Sequence, residues 1–310
     1  ISMSIFATFV SSISYLALPG QAYLTNWNVF VFSLSIPFAT LLAVRFFVPL
    51  YRSINSPSAY TYLEKRFGPW AKTYVSVMYL LTQLMRAGTI LFLLALTINV
   101  ITGWSIVTII IIAGLSVMIY SLLGGIQAVV WTDAIQGIIL ILGALICAGL
   151  LIFSMPEGPA QFLSIAMENN KFSLGSFKME LSSSTFWVVL IYGLFINIQN
   201  FGIDQNYIQR YMTASSEKEA KRSALYGGLL YVPVSLLFLL IGTALCTYYT
   251  ANHGLLPAGI PADKVFPHFI VHGLPTGLTG LLIASVFAAG MSTISTSVNS
   301  SATVIINDYF

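Results

Sequence analysis

Long apolar runs separated by short polar connections set the pattern of this 310-residue chain. A membrane-spanning helix needs about 20 mostly apolar residues, and eight stretches reach or approach that length. They cover residues 1–18, 27–50, 71–102, 104–122, 126–153, 185–203, 222–249 and 276–306. Lipid tolerates only helices and closed barrels, and these runs are too long for the strands of a barrel. The pattern therefore predicts an all-α integral membrane protein.

Composition supports that prediction and narrows the function. The chain is 57% hydrophobic and only 7% charged, whereas a soluble domain carries about 25% charged residues. Its basic residues form no patch or stripe, so we expect a lipid bilayer and no nucleic acid as partner. Cys147 and Cys246 lie inside apolar runs without a partner motif, which is typical of packing residues. A nucleophile–base pair is not evident, so we expect no enzyme.

The placement of Lys and Arg predicts the orientation, because cytoplasmic connections carry the excess of these residues. Summed over alternate connections, one side holds Arg45, Arg52, Lys65, Arg66, Lys72, Arg210, Lys218, Lys221 and Arg222. The other side holds Lys171, Lys178 and Lys264. Connections 45–72 and 204–222 are therefore predicted to face the cytoplasm from a cell inner (plasma) membrane. The first helix is predicted to leave the membrane on the outer side at Gly20.

Three connections carry predictions of their own. Segment 56–68 is predicted to form a short amphipathic helix that Ser58 could cap. Residues 154–184 are predicted to form a polar outer connection. Residues 253–275, rich in Pro and Gly, hold all three histidines at spacings of 15 and 4 residues, without an acidic or thiol partner nearby. We interpret that segment as a solvated outer loop rather than a metal site.

Two ionisable residues lie inside predicted spans, where lipid makes a charge costly and function is the default explanation. Arg86 lies 14 residues after Lys72 and 17 before Gly103, which places it near mid-membrane at about 1.5 Å per residue. It must face a carboxylate, helix carbonyls or a polar cavity, and it could bind an anionic solute or serve a structural pairing. Asp133 could coordinate a hard cation, relay protons or accept a hydrogen bond between helices.

Two spans contain polar stretches that lipid alone does not explain. Residues 7–14, ATFVSSIS, fit either a helix that is unwound at its middle or close helix packing. Between Ser292 and Thr303, eight of twelve residues are Ser or Thr. One helix face there combines Ala289, Ser292, Thr293 and Thr296, with Ser295 beside them. Hydroxyl and backbone oxygens are hard ligands that suit an alkali cation, although such hydroxyls also bond to their own backbone and to neighbouring helices.

Four stretches carry a family resemblance: YTYLEKRFG (60–68), LLGGIQAVVWTDAIQG (122–137), DQNYIQRYMTA (204–214) and FAAGMSTISTSVNS (287–300). Together they resemble the sodium:solute symporter family over essentially the whole chain. The resemblance implies an inverted-repeat transporter fold of five plus five helices, of which this chain would hold about the first eight. It also implies a single transmembrane transporter domain, 1–310, truncated at both ends, that functions as a monomer with Na⁺ and a small solute.

The resemblance implies two sets of sodium ligands. The family's main sodium site matches the backbone carbonyls of Ala7, Val10 and Ala289 and the hydroxyls of Ser292 and Thr293. Some members hold a second sodium ion nearer the cytoplasm, at positions that match Asp133, Ser292, Ser295 and Thr296. All of these residues supply oxygen atoms, as the polar face of the last span also suggests.

The resemblance also implies a solute site. The segment SIFATFVSSISYLALPGQAYLTNW (4–27) looks closest to bacterial sialic acid symporters. Their carboxylate-binding Arg and helix-one hydroxyls align with Arg86, Ser11 and Ser14. Two positions depart from their pattern, since Phe9 and Ser33 stand where those symporters have Thr and Gln. Further solute contacts are expected from Asn197, Asn200 and Phe201.

The implied function is uptake of a small organic solute coupled to inward Na⁺ movement by alternating access. The solute is expected to be anionic, with sialic acid as the example. Several alternatives stay open: a symporter of a neutral sugar, proline or a monocarboxylate, and a symporter-like sensor domain of a larger signalling protein. A uniporter or channel, which would not need the sodium site, and a membrane enzyme also stay open, the enzyme being the weakest.

Overall fold

The computed structural model describes residues 1–10 and 12–310, apart from the side chains of residues 12, 13, 100, 101 and 276. In chain order its α-helices are α1 Ser2–Phe9, α2 Ser12–Leu24, α3 Phe30–Leu34, α4 Ile36–Leu42, α5 Val48–Ile54, α6 Thr61–Phe67, α7 Pro69–Thr102, α8 Ile106–Phe153, α9 Pro159–Glu168, α10 Phe186–Gly202, α11 Gln205–Met212, α12 Glu217–Ala251, α13 Ala262–His272 and α14 Thr276–Tyr309. A 3₁₀ turn precedes α3 and a π-helical turn joins α4 to α5, so Trp27–Ile54 forms one span.

The spans match the eight predicted apolar runs. Within the described residues, five helices are long and apolar enough to cross a membrane, and two bent helix pairs each add one more. The longest, α8, has 48 residues and would measure about 72 Å if straight, against roughly 30 Å of hydrocarbon core. Gly125 divides it, with φ 53° and ψ −148° inside the helix. Glycine accepts that positive φ without strain, so α8 supplies two spans.

Two spans are broken, and they are the first and the sixth in order. Helices α1 and α2 meet at a 52° bend next to Val10, whose backbone is extended with φ −91° and ψ 111°. Helices α10 and α11 meet at a 46° bend. Breaks that recur five spans apart agree with an inverted five-plus-five repeat. The first span is therefore interrupted at its middle, whereas Pro19 and Gly20 lie inside α2 and do not break it.

Local sequence explains where several helices begin and end. The hydroxyl of Ser105 accepts a hydrogen bond from the Thr108 N–H at the start of α8, which satisfies a donor that the helix itself cannot use. A carboxylate oxygen of Asp204 does the same at the start of α11, where the Asn206 N–H donates to it at 2.8 Å. Helix α7 ends at Gly103 with φ 74°, the left-handed conformation that stops helices.

Close helix packing depends on small residues. A Cβ on Gly242 of α12 would lie 2.1 Å from the carbonyl oxygen of Pro19, so only glycine lets α12 approach α2 this closely. Large apolar side chains such as Leu122 and Leu123 are instead more than four-fifths exposed. Apolar side chains that point outward from long apolar helices are the surface that lipid covers. The chain is thus a multi-pass membrane protein.

The connection 154–184 folds back onto the first span. It contains helix α9, and the Lys171 side chain beyond it is only 5% exposed. The Lys171 ammonium donates to the carbonyl oxygens of Ala22, Tyr23 and Thr25 at 3.3, 2.7 and 3.0 Å. A cation at the C-terminal end of a helix satisfies its free carbonyls and interacts well with its dipole.

The short helix predicted in segment 56–68 is confirmed as α6, whereas the expected end of the first span and the expected cap of α6 were wrong. The first span continues past Gly20 to Leu24. Connection 45–72 is mostly helical, and Ser58 caps a turn by accepting from the Tyr60 N–H at 3.2 Å, while α6 has no side-chain cap. Connection 204–222 consists largely of α11 and the start of α12.

The histidine-rich segment is also not a plain solvated loop. Residues Ala262–His272 form helix α13, whose Phe266 and Ile270 are buried. Helix α13 packs against α2, because its apolar face needs a partner away from water.

Candidate functional site

A small internal cavity lies at the break in the first span. Its volume is about 10 Å³, the space that one water molecule or one small ion needs. Four of the five residues predicted for the main sodium site line it, namely Ala7, Val10, Ala289 and Ser292. The structure therefore brings the broken helix and α14 together at one point.

The backbone departs from helical geometry beside this cavity. The ψ of Val10 is 111°, against about −42° in a helix, so its carbonyl is rotated away from the helical direction. Thr293, the fifth predicted ligand, is 2% exposed, and its hydroxyl donates to the Ala289 carbonyl at 3.1 Å. A hydroxyl that donates still has lone pairs for a cation. Carbonyl and hydroxyl oxygens are the kind of ligand that hard cations take.

Gln136 also lines this cavity, and the sequence reasoning missed it. Its Oε1 atom is buried and has no hydrogen-bond partner in the described part of the chain. A buried acceptor without a donor is costly, which makes Gln136 a candidate for a polar role at this point. The available signal was its spacing, because Gln136 follows Asp133 by three residues and so lies on the same side of α8.

Asp133 lies at the centre of a buried ionic network. Its carboxylate accepts hydrogen bonds from the hydroxyls of Ser4 and Ser292, both at 2.6 Å. The Arg210 guanidinium donates to the same carboxylate at 2.7 Å and to the Thr296 hydroxyl at 2.8 Å. Both charged side chains are 0% exposed. The network joins α1, α8, α11 and α14.

Three residues of the predicted second sodium site, Asp133, Ser292 and Thr296, therefore come together in this network. Ser295 is buried beside them and donates its hydroxyl to the Ser292 carbonyl at 3.0 Å. Arg210 already supplies a positive charge to the Asp133 carboxylate in this structure. A cation at Asp133 would thus share the carboxylate with Arg210 or take its place.

Sequence reasoning placed Arg210 in a cytoplasmic connection, which was wrong. Arg210 is fully buried on α11 and also donates to the Ser4 hydroxyl at 2.7 Å and to the Asn206 carbonyl. A signal existed, because a carboxylate buried in a membrane needs a counter-charge. Two acids, Asp133 and Asp204, call for two basic partners, and Arg86 supplies only one.

Arg86 pairs with Asp204 at the break of the sixth span. Its Nη1 lies 3.8 Å from the Asp204 Oδ2, which is an ion pair without a direct hydrogen bond. The Arg86 side chain remains 32% exposed. Of the three environments that the sequence allowed for Arg86, the structure shows a carboxylate.

The residues predicted to bind solute fall into two neighbouring groups. In the first, the Phe9 ring lies 5.3 Å from Phe201, 4.8 Å from Tyr207 and 5.4 Å from Tyr231, measured between ring centroids. Ser14 joins this group through a hydrogen bond with the Tyr231 side chain. Ser11 lies outside the described residues.

The second group lies between α10 and the second span. The Asn197 amide donates to the Ser35 hydroxyl at 2.9 Å, and its Oδ1 is buried without a hydrogen-bond partner in the described chain. Ser33 is buried on α3, and Asn200 is half-buried on α10. Asn197 precedes Phe201 by four residues on α10, so one helix face connects the two groups.

Two further cavities lie at opposite ends of the bundle, and none of the predicted solute residues lines either of them. One, of about 170 Å³, lies between α2, α7 and α13, with Leu16, Thr97 and Lys264 in its wall. Another, of about 320 Å³, lies at the other end, with Asn55, Gln209 and Thr303 in its wall. Gln209 in this wall accepts a hydrogen bond from the Asn299 amide of α14 at 3.3 Å.

The long apolar helices, with breaks in two of them five spans apart, define a multi-pass membrane protein of the inverted-repeat fold. The sodium:solute symporter family matches residues 1–310, and the chain belongs to that family. It is 35% identical over 310 residues to the sodium/sialic acid symporter SiaT of Proteus mirabilis, with 99% of this chain and 62% of that protein covered.

Other comparisons also match sodium-coupled transporters. The chain is 32% identical over 309 residues to the sodium/sialic acid symporter NanT of Aliivibrio fischeri, covering 61% of that protein, and 28% identical to the human sodium/iodide cotransporter. A solved Na⁺-coupled sialic acid symporter in a substrate-bound outward-open state matches with a TM-score of 0.96 and 34% identity, over 99% of this chain and 66% of that one. The chain spans about three fifths of the length of these sialic acid symporters.

Proposed function

We propose that this chain is the core of a symporter that couples inward Na⁺ movement to uptake of an organic anion of the sialic acid type. The observation that carries the proposal is the cavity of about 10 Å³ where the broken first span meets the hydroxyl-bearing face of α14. Similarity to two sodium/sialic acid symporters supports the choice of ion and solute.

The main sodium site in this proposal consists of Ala7, Val10, Ala289, Ser292 and Thr293. An ion there would join α1 and α2 to α14, so it could change the position of the broken helix. A ligand drives such a change only if it binds one conformation better than the other. Ser292 bonds to Asp133, which makes the site sensitive to the neighbouring network.

A second sodium ion would use Asp133, Ser292, Ser295 and Thr296. Because Asp133 is paired with Arg210, a second sodium ion would compete with the guanidinium for the Asp133 carboxylate. Its occupancy would therefore be favoured where Arg210 moves away from Asp133. One ion per cycle remains the simpler proposal.

The solute site in this proposal lies among Phe9, Ser11, Ser14, Ser33, Arg86, Asn197, Asn200 and Phe201. Arg86 would bind the carboxylate of the solute, since guanidinium pairs with carboxylate in a bidentate manner. Its present partner is Asp204 at 3.8 Å, a separation loose enough for a solute carboxylate to compete.

We further propose an inner (plasma) membrane location, with connection 45–72 and the end of α11 facing the cytoplasm. The excess of Lys and Arg on that side supports this orientation. Arg210 no longer counts toward it, because its side chain lies in the protein interior. A monomer is sufficient, since every proposed ligand belongs to one chain.

The driving force fits the proposed task. One Na⁺ that crosses a potential of about 100 mV releases about 2.3 kcal/mol, and a tenfold gradient adds about 1.4 kcal/mol. For a neutral solute the sum of roughly 3.7 kcal/mol supports about 500-fold accumulation. A solute with one negative charge loses about 2.3 kcal/mol of this sum against the potential, which leaves about 1.4 kcal/mol, or about tenfold accumulation. Coupling to one ion is therefore enough for concentrative uptake.

Uptake by the full-length protein in proteoliposomes tests the sodium site. We expect N-acetylneuraminate uptake under an inward Na⁺ gradient, little under a K⁺ gradient, and a large loss in Ser292→Ala and Thr293→Ala. Thr293→Ser keeps the hydroxyl and should retain uptake. Ser285→Ala is the matched control, because Ser285 is also buried on α14 but donates to the Ile139 and Leu281 carbonyls. Normal uptake in both alanine variants would reject the assignment.

A second comparison tests the solute. Arg86→Met should abolish uptake of sialic acid while the protein still shows Na⁺-dependent thermal stabilisation, because the sodium ligands are intact. Arg86→Lys should recover little, since it keeps the charge but loses the fork of donors. Wild-type transport of a neutral sugar or a monocarboxylate, without transport of sialic acid, would move the proposal to that solute class.

A further inference from the structure

One charged side chain on the outside of the helical bundle has no part in the proposed transport mechanism. Arg45 belongs to the span Trp27–Ile54 and lies in the π-helical turn Ala43–Phe47 that joins α4 to α5. Its side chain is exposed, and the span contains no Asp or Glu. Among the described residues, the Arg45 guanidinium takes part in no ion pair and no hydrogen bond.

Arg45 lies within a lipid-facing stripe of this span. The stripe consists of the exposed residues Phe38, Leu41, Leu42, Arg45 and Phe46. Their spacing of three and four residues places them on one side of the helix, and lipid covers apolar side chains that point outward from a span. The Arg45 guanidinium lies 5.5 Å from the centroid of the Phe46 ring, a cation–π contact that leaves the charge unneutralised. A charge on such a surface is costly without a counter-charge.

The depth of Arg45 follows from the length of the span. The span has 28 residues, or about 42 Å of helix, whereas the hydrocarbon core is about 30 Å thick. Arg45 comes 18 residues after Trp27, which is about 27 Å along the helix. Counted from Trp27, Arg45 is thus close to the opposite edge of the hydrocarbon core. A long Arg side chain at that depth extends its charged group to the level of the lipid headgroups.

We propose that Arg45 binds the phosphate of an anionic phospholipid whose acyl chains lie against Phe38, Leu41 and Phe46. Guanidinium pairs with phosphate through two parallel hydrogen bonds, and this phosphate supplies the counter-charge that the described protein does not. A lipid with a net negative charge is favoured over phosphatidylcholine, because the choline group carries a positive charge that repels the guanidinium. In the proposed orientation the lipid belongs to the inner leaflet.

Native mass spectrometry of the full-length protein tests this site, with phosphatidylglycerol and phosphatidylcholine added in equal amounts as probes. We expect wild type to prefer phosphatidylglycerol. Arg45→Gln should bind the most tightly held phosphatidylglycerol about fivefold more weakly, which corresponds to about 1 kcal/mol. Arg45→Lys keeps the charge and should bind it better than Arg45→Gln. Lys218→Gln is the matched control, because Lys218 is exposed but lies between Glu217 and Glu219, and it should bind phosphatidylglycerol as wild type does.

Three results would overturn the proposal. The first is equal affinity for phosphatidylglycerol in wild type and Arg45→Gln. The second is a loss of thermal stability in Arg45→Gln that has the same size in both lipids, because Arg45 would then have a partner within the full-length protein. The third is displacement of the lipid by excess inorganic phosphate, since the apolar stripe should also hold the acyl chains. The lipid measurement needs no transport, so its failure is distinct from a failure of the proposed function.

Discussion

Removing both charges of the buried pair Asp133–Arg210 should cost less stability than the sum of the costs of removing each charge alone. Both side chains are 0% exposed, and Nη2 lies 2.7 Å from Oδ2. Asp133→Asn keeps the shape of the side chain but leaves a buried guanidinium with the neutral partners Ser4, Asn206 and Thr296. Breaking a buried pair from one side costs about 3–5 kcal/mol.

Arg210→Met should be similarly costly. It leaves the Asp133 carboxylate with two hydroxyl donors, Ser4 and Ser292, and without a counter-charge. The double variant Asp133→Asn, Arg210→Met contains neither buried charge. We expect its loss of stability to be smaller than the sum of the single losses by about 2 kcal/mol or more, because neighbours in one network are not additive.

The measurement is the free energy of unfolding of the full-length protein in mixed micelles, for wild type, both single variants and the double variant. Glu217 and Lys221 form a surface pair at 2.6 Å, and the same cycle there should give a coupling under about 1 kcal/mol. Additive losses at Asp133 and Arg210, or single losses no larger than those at the surface pair, would refute the reasoning about buried charge.

The remaining predictions concern packing and positioning. Lys171→Met removes three hydrogen bonds from one ammonium to carbonyl oxygens and should destabilise by about 2 kcal/mol; an unchanged melting temperature would contradict this. Gly242→Ala places a Cβ 2.1 Å from a backbone oxygen of Pro19 and should cost about 1–3 kcal/mol or prevent folding. Gly149→Ala is the control for thermal unfolding, because its Cβ meets nothing within 4 Å and should be neutral or stabilising. Trp27→Phe loses the hydrogen bond to the Thr243 hydroxyl at 2.9 Å, and should lower stability by about 1 kcal/mol in the same assay.

The apolar pattern predicted most of the fold. The eight runs correspond to the spans because a bilayer imposes a length and a composition on each segment separately. Residues 7–14 fitted either a break in the first span or close helix packing, and the structure has a break at Val10. The end of that span was wrong by four residues, since Pro19 and Gly20 are accommodated within α2.

The candidate sites were predictable only in part. Motif resemblance indicated the oxygen-bearing residues, and the structure brings Ala7, Val10, Ala289 and Ser292 to one cavity. Their roles as ligands stay predictions. Gln136 was missed because its spacing from Asp133 indicates only a shared side of α8, and the cavity that Gln136 lines is formed by the packing of several helices.

The sequence by itself determined that this chain crosses a membrane repeatedly, since hydrophobicity and length act locally along the chain. Only the tertiary structure decided which charges pair. Arg210 reaches Asp133 across 77 residues of sequence, and Lys171 reaches Tyr23 across 148. A buried charge must find a partner, but the sequence does not say which one, because the choice depends on how the helices pack.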